Sequence, residues 1–190
     1  MDPDGSNQHR LDIPEVEDDF LGDKAGAIYQ EALEEQSWND ARDHMVFVQE
    51  AWGHPQIYVL RLQDNHRWGI TRQSTLAYDP RWQPGGGWIV FTSADDGDDE
   101  IWRVTNEGEG LQQLTQNDWE HDKFPSWSPD GHWIAFWSNR LVGHPQIWVM
   151  DLNGRGQHNI SNNDFNDYAP VWVIGRRGPA PTLTPTERPE

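Results

Sequence analysis

The sequence predicts an all-β protein: a β-propeller of four-stranded antiparallel blades, with one helix before the first blade. An internal repeat is the first reason, because P-S-W-S-P-D-G-H-W-I-A-F at Pro125–Phe136 has a copy, P-R-W-Q-P-G-G-G-W-I-V-F, at Pro80–Phe91. A further copy starts at Pro170 and Trp172, and a worn earlier copy begins near Trp38. The spacing is the second reason, since about 45 residues is the length of one four-stranded blade.

The segment before the repeats divides into two parts. Residues 1–17 are polar and acidic and contain proline and glycine, a composition that predicts a flexible arm. Residues 18–35 are predicted to hold a helix, over about Asp19–Glu35, because apolar residues recur there at helical spacing. We expect its apolar stripe to cover an exposed end of the sheet assembly, and a partner-binding helix is the alternative.

Three repeats follow, at residues 36–79, 80–124 and 125–169, and a single strand is expected at 170–174. Each repeat should contain four strands, which we name A to D in chain order. In the third repeat these are predicted at Phe124–Ser128, Trp133–Ser138, Gln146–Leu152 and Gln157–Ser161.

Turn residues separate these strands. The S-P-D-G sequence at Ser128–Gly131 has proline second and glycine fourth, which favours a type I turn between strands A and B. Gly154 and Gly156 match Gly108 and Gly110 between strands C and D, where glycine permits the positive backbone angles of a tight hairpin.

Composition limits the possible partners. The formal charge of −18 argues against nucleic acid or an anionic membrane, because a phosphate-binding surface needs clustered lysine and arginine. A basic protein or peptide, or a metal ion, fits this charge better. The chain contains no cysteine, so disulfides and cysteine metal sites are excluded. Residues 175–190 are rich in proline and threonine and are predicted to form an extended tail or linker.

The repeat resembles that of TolB-type β-propellers, relatives of the WD-repeat propellers. The resemblance rests on P-x-W-S-P-D-G-x-x-I-A-F, then Q-I-W-V-M-D-L-N-G, then D-x-x-P, and it covers residues 36–174. Gly85 replaces Asp130 in the second repeat, and Asp40 and Arg42 replace the turn proline and glycine in the first. Such propellers serve as binding platforms, as gating domains of larger hydrolases, or as sensor modules of receptors. The resemblance also suggests an exported bacterial protein, periplasmic or extracellular.

Three blades cannot close a ring, because propellers have about four to eight. The resemblance implies about six, so we predict a homodimer in which strand 170–174 of one chain pairs with repeat one of the other. Two alternatives remain: an open set of three blades stabilised by the helix, and a piece of a longer propeller.

A binding surface is predicted where the B to C and D to A loops share one face. The B to C loops are Glu50–Pro55, Ala94–Asp99 and Asn139–Pro145, and the D to A loops are Arg72–Asp79, Gln116–Phe124 and Asn162–Ala169. The candidate binding residues on this face are Asp95, Asp96, Asp98, Asp99, His121, Asp122, Asn166, Asp167, Tyr168, His54 and His144.

Some of these residues have plainer interpretations. The acidic run A-D-D-G-D-D-E does not match the spacing of an EF-hand loop, so we favour a solvated loop over a calcium site. Asp122 and Asp167 stand three residues before repeat prolines and are predicted to accept backbone N–H bonds at a turn. His54 and His144 lie in equivalent G-H-P-Q-I segments and are expected each to shape its own loop.

No catalytic motif is present. The chain lacks H-E-x-x-H, G-x-S-x-G and a glycine-rich phosphate loop. We therefore predict a non-enzymatic module without a cofactor, which binds a protein, a peptide or a small ligand and self-associates. The alternatives are a gating or sensor domain of a larger hydrolase, kinase or receptor and, as a third class, carbohydrate or metal-assisted chemistry at the channel mouth.

Overall fold

The structure is a computed structural model that describes residues 27, 29–95, 97–140 and 144–172. Five predictions fall wholly or partly outside this range. They are the arm at 1–17, most of the first half of the helix, residues 141–143 of the B to C loop Asn139–Pro145, the last two residues of strand 170–174, and the tail at 175–190. Asp96 also lies outside the described residues.

Within the described residues, eleven strands form three antiparallel sheets, one for each predicted repeat. Blade one has three strands, and blades two and three have four each, in the order A to D. The strands are β1 (His44–Ala51), β2 (His54–Arg61), β3 (His66–Gly69), β4 (Ala77–Trp82), β5 (Trp88–Ser93), β6 (Glu100–Thr105), β7 (Gln112–Gln113), β8 (Asp122–Trp127), β9 (Trp133–Ser138), β10 (Gln146–Asp151) and β11 (His158–Asn159).

Blade one lacks a proper strand A. Its counterpart is reduced to one isolated bridge between Trp38 and Met45. The first repeat has Asp40 and Arg42 in place of the turn proline and glycine. Arg42 has a positive φ of 55°, a backbone conformation that is sterically unfavourable for a residue with a Cβ and that glycine adopts freely. The missing turn chemistry explains why the first hairpin is not completed.

The A strands of blades two and three start earlier than predicted. β4 begins at Ala77 and β8 at Asp122, so the D to A loops end before these residues rather than at Asp79 and Phe124. In both strands the register shifts next to the proline, and the preceding residue, Asp79 or Phe124, has a φ near +50° (51° and 53°). Proline has no N–H group to donate to the hydrogen-bond ladder of a sheet. A bulge at the proline allows the strand to continue on both sides of it.

Three further boundaries differ. The predicted B to C loop Glu50–Pro55 is a two-residue turn, because β1 and β2 pair up to Ala51 and His54. Trp52 and Gly53 both have positive φ there (54° and 85°), as a type I′ turn requires. Strands C and D of blade three are shorter than predicted, at 146–151 and 158–159.

The turn predictions are confirmed. Gly131 N donates to Ser128 O at 2.8 Å, the bond that closes the S-P-D-G turn. Gly108, Gly110, Gly154 and Gly156 all have φ between 65° and 85°. The C to D turn of blade two contacts blade one, because Trp68 Nε1 donates to Asn106 O at 2.9 Å.

The core lies between blades. One apolar cluster joins blades one and two through residues such as Val46, Ile57 and Phe91. A second joins blades two and three, with Trp127 fully buried among Val90, Ile101 and Phe136. A third lies on the far side of blade three and has no blade beyond it in the described residues.

Trp172 packs on that third cluster, against Ala135, Val149 and Ile160, as its repeat counterpart Trp127 packs on blade two. Its backbone N donates to Ser126 Oγ at 3.1 Å. Residues 170–172 nevertheless form no strand, which corrects that part of the 170–174 prediction. A strand exists only through pairing, and the described residues contain no strand B to pair with it.

The helix, α1, covers residue 27 and residues 29–35, and it ends where predicted. Gln36 then ties it to the A strands. The Gln36 carbonyl accepts from Trp82 N at 2.6 Å, and its side chain accepts from Trp127 N at 2.9 Å and donates to Ser126 Oγ at 3.0 Å. No helix in the described part of the chain is long and apolar enough to cross a membrane.

Candidate functional site

Hydrogen bonds between neighbouring blades put the B to C and D to A loops on one face, which we call the loop face. Asp95, in a B to C loop, accepts from Ser74 N and Ser74 Oγ of a D to A loop, each at 2.5 Å. One blade further on, Asn139 Oδ1 accepts from His121 N at 2.8 Å. These contacts agree with the face predicted from strand polarity.

Four aromatic side chains of the described residues are more than half exposed, and all four lie in loops of the loop face. Trp52 is 69% exposed, Trp119 86%, Phe165 74% and Tyr168 56%. Trp119 and Phe165 are at the tips of successive D to A loops. Tyr168 alone has a described ring neighbour, Trp137, at 5.8 Å between centroids.

The two loop tips share a short motif. Asn117, Asp118 and Trp119 in one loop match Asn163, Asp164 and Phe165 in the next, so an exposed carboxylate precedes an exposed aromatic ring in both. Each motif is fixed at its first residue: Asn117 N donates to Glu100 Oε1 at 2.5 Å, and Asn163 N donates to Gln146 Oε1 at 2.9 Å. Each exposed tip is therefore held at its base by a buried side chain, Glu100 or Gln146.

Asp99 is the centre of a polar cluster beneath the tips. Its carboxylate accepts from Tyr78 Oη at 2.7 Å, pairs with Lys123 Nζ at 2.5 Å, and lies 3.2 Å from His121 Nδ1. Burial alone would raise the pKa of Asp99, but the bonds from Lys123 and Tyr78 hold it below its usual range. Burial and the bond to Asp99 raise the pKa of Tyr78.

Asp79 and Arg81 lie beside this cluster on strand β4. Burial raises the pKa of Asp79 and lowers that of Arg81, and each charge partly offsets the other. Arg81 is bonded to Pro80 O at 2.7 Å. Asp79 Oδ2 and Arg81 Nε are buried without a hydrogen-bond partner among the described residues.

A second, deeper cluster contains Glu100 and Asp122, both fully buried. The Arg140 guanidinium donates to Asp122 Oδ2, and Asn117 Nδ2 donates to the same oxygen at 2.9 Å. Burial raises the pKa of Glu100 to about 8, and the neighbouring charge of Asp122 adds to the shift. Asp122 Oδ1 has no hydrogen-bond partner in the described residues.

Two of the predicted roles were wrong. Asp122 does not accept backbone N–H bonds at a turn but lies in strand β8, bonded to Arg140 and Asn117. Asp167 accepts from the side chain of Asn163 at 2.8 Å, also not from backbone. The signature D-x-x-P therefore places a carboxylate for side-chain bonding, at the point where strand A approaches the preceding loop.

The remaining predicted residues are spread over the loop face. Asp98 is partly buried, and Asn166 is exposed. His54 is exposed beside Trp52 and Arg72, around an open pocket of about 470 Å³. His144 Nδ1 lies 3.4 Å from Gln146 Nε2, within its own loop. The structure therefore does not bring the two histidines' equivalent segments into one site.

Sequence reasoning missed four residues of these clusters: Tyr78, Asn117, Lys123 and Arg140. Glu100 was placed only at the end of the acidic run A-D-D-G-D-D-E and was not among the candidate binding residues. One signal was available for Glu100, since it occupies the position that Gln56 and Gln146 hold in the other repeats. Among the described residues, no group of three or more histidine, cysteine, aspartate or glutamate side chains is placed to hold a metal ion.

Comparison with known proteins gives one family. A family model described as the TolB beta propeller domain matches residues 27–177. A TolB homolog from Chlorobium luteolum is 34% identical over 113 residues, which is 60% of this chain and 25% of the relative. The Tol-Pal system protein TolB of Desulfosudis oleivorans is 34% identical over 96 residues, 50% of this chain and 21% of the relative. The chain thus spans about a quarter of the length of these curated relatives.

A solved structure of TolB from Acinetobacter baumannii shares the fold. Its TM-score is 0.54 at 24% identity, over 64% of this chain and 30% of that chain.

Proposed function

This chain belongs to the TolB β-propeller family, and on that premise we propose that it is a non-enzymatic propeller module that binds a protein or peptide on its loop face. The family assignment matches the resemblance read from the repeats. One relative is named as a Tol-Pal system protein, and a protein that belongs to a named system supports the proposal of a protein partner.

The exposed aromatic tips carry the proposal. Trp119 and Phe165 are 86% and 74% exposed, although large aromatic side chains usually bury most of their surface in a folded chain. Aromatic residues, tryptophan and phenylalanine among them, are enriched at the cores of protein interfaces, and tryptophan is one of the residues that most often dominate the binding energy. Three of the four exposed rings lie in D to A loops, and each of these loops is fixed by a backbone N–H that donates to a buried side chain at the start of strand C.

The charge of the same tips indicates the partner. Asp118 and Asp164 are exposed directly beside these two rings, and the whole chain carries a formal charge of −18. A segment that inserts apolar side chains between the rings would meet carboxylates around them. The partner that fits is a basic protein segment with apolar residues.

An array of short synthetic peptides tests this proposal, with net charge and apolar content varied independently. We expect basic peptides with apolar residues to bind, and Trp119→Ala with Phe165→Ala to weaken binding at least about tenfold, the size of a typical hot-spot loss. Leu62→Ala with Leu111→Ala is the matched control, because these exposed side chains (49% and 45%) lie in C to D turns on the opposite face.

Equal loss in both double variants would contradict the loop face as the binding surface. Failure of every peptide class to bind would instead favour the gating or sensor alternative.

We also propose that the module self-associates through the outer face of blade one. The residues on this face, Met45, Phe47, Tyr58 and Leu60, are partly exposed. Their counterparts in blade two, Ile89, Phe91, Trp102 and Val104, pack against blade one. Within the chain, blade two packs this face on blade one, and blade three packs its equivalent face on blade two. Blade one has the same face without a described neighbour.

The occupant that we propose for this face is the far side of blade three from a second copy. That surface has the matching composition: Ala135, Val149 and Ile160 with Trp172 packed on them. Two such contacts, related by a two-fold axis, would close a ring from two chains.

A further inference from the structure

Three residues at the start of strand C make the same hydrogen bonds in all three blades. Each is buried, at 0%, 0% and 1% exposed, and each accepts from a hydroxyl in its blade and from the backbone N of the following D to A loop. Two of the three are glutamines, and the third is an acid. They are Gln56, Glu100 and Gln146.

The two glutamines also use their side-chain N–H groups. Gln56 Nε2 donates to Thr75 O at 2.8 Å, and Gln146 Nε2 donates to Phe165 O at 2.7 Å. Each glutamine therefore holds its D to A loop by accepting at one end and donating at the other. An ionised Glu100 can only accept.

The surroundings of Glu100 contain a group that needs a donor. Asp122 Oδ1 is buried without a hydrogen-bond partner among the described residues, and Asp122 adjoins Glu100 closely enough that its charge acts on it. A buried oxygen without a hydrogen-bond partner destabilises the folded chain. A proton on Glu100 would satisfy it.

The charged groups around Glu100 and Asp122 can compensate the charge of only one ionised carboxylate. Arg140, from the B to C loop of blade three, donates to Asp122, while Thr115 and Asn117 are uncharged. The positive charge of Lys123 is already paired with Asp99, the residue that precedes Glu100, and His121 also lies near Asp99. Two buried carboxylates facing one guanidinium favour one proton between them.

We propose that Glu100 carries a proton in the folded protein, donates a hydrogen bond through it to Asp122 Oδ1, and so holds the tip formed by Asn117, Asp118 and Trp119 in place. The neutral acid then does for blade two what glutamine does for blades one and three. Loss of this proton as the pH rises loosens the tip. The effect on stability is independent of the proposed function, and the effect on partner binding rests on it.

The direction with pH follows from proton linkage. In the unfolded chain a glutamate has an ordinary pKa of about 4.3, whereas burial raises that of folded Glu100 to about 8. Between these values the folded chain holds one proton more, so its stability falls as the pH rises. The stabilisation is complete below the lower value, and the decline ends above the upper one.

Denaturant unfolding between these two pH values, compared for wild type, Glu100→Gln and Glu109→Gln, tests the proposal. For one proton the unfolding constant of wild type should rise about tenfold for each pH unit relative to that of Glu100→Gln. The control Glu109→Gln, an exposed acid at the opposite face, should follow wild type. A constant ratio between wild type and Glu100→Gln across this range would overturn the proposal.

A carboxyl titration by NMR covers the case in which Glu100→Gln does not fold. With ¹³C-labelled glutamate in the wild-type protein, we expect one side chain to titrate several pH units above the others. If every glutamate titrates near its ordinary value, the proposal is wrong.

The binding arm uses a basic, apolar peptide from the array. Its affinity for wild type should fall across this range by more than its affinity for Glu100→Gln. If the linkage to stability is present but no peptide binds, the proposed function fails while the protonation of Glu100 stands.

Discussion

Phe47 and Phe91 occupy the same position in strand B of successive blades, yet Phe91 is fully buried and Phe47 stays partly exposed. The difference comes from the neighbour. Phe91 packs on Val46, Ile57 and other residues of blade one, whereas no described blade precedes Phe47. A propeller blade completes its core only against the next blade, so the exposure of Phe47 identifies where this assembly is open.

The turns at the A to B face should respond unequally to alanine. Gly131 and Gly156 both have a positive φ (70° and 67°), so each substitution meets the same backbone penalty of about 1–2 kcal/mol. A Cβ at Gly131 would also lie 2.4 Å from Pro84 O in the neighbouring blade, while a Cβ at Gly156 meets nothing within 4 Å.

We therefore expect Gly131→Ala to cost about 1–3 kcal/mol more than Gly156→Ala. Denaturant unfolding of the two variants measures the difference. Equal costs would mean that the turns of blades two and three do not pack together as the structure has them.

The ion pair of Arg140 with Asp122 should stabilise the chain far more than an exposed ion pair such as that of Arg42 with Glu35. Removing one partner of a buried ion pair costs about 3–5 kcal/mol, because the other charge is left buried, and Asp122 is fully buried. Arg140→Ala should therefore destabilise by that amount. Arg42→Ala is the control, since the Arg42–Glu35 pair is roughly half exposed and should contribute less than about 1 kcal/mol.

Unfolding free energies of the two variants decide this. A loss for Arg140→Ala no larger than that for Arg42→Ala would contradict the buried pair.

Periodicity was enough to predict the frame of the fold. Tryptophans and turn glycines repeat at blade length, so strand B of blade three was predicted to the residue, at 133–138. The A strands were predicted too short because Pro80 and Pro125 look like strand starts, whereas a bulge carries each strand past its proline. That accommodation depends on a backbone conformation that residue type does not specify.

The candidate site was predictable only in outline. Loop polarity correctly placed the B to C and D to A loops on one face, because it follows from the alternation of strands. The pairing of Asp122 with Arg140 was not predictable, since Arg140 lies in the loop after β9 and meets Asp122 only once β8 pairs with β9 in blade three. Exposure of Trp119 also depends on packing, as most tryptophans of this chain are buried at least in part.

The mass of the chain in solution tests the central claim, that the open face of blade one receives a second copy. Light scattering on the folded wild-type protein should give twice the chain mass of 22.0 kDa. Phe47→Asp, on the open face, should shift it to the single-chain mass. Val48→Asp, at an exposed site on the other side of the same strand, should not. A folded wild-type protein that remains at 22.0 kDa over a wide concentration range would contradict the account.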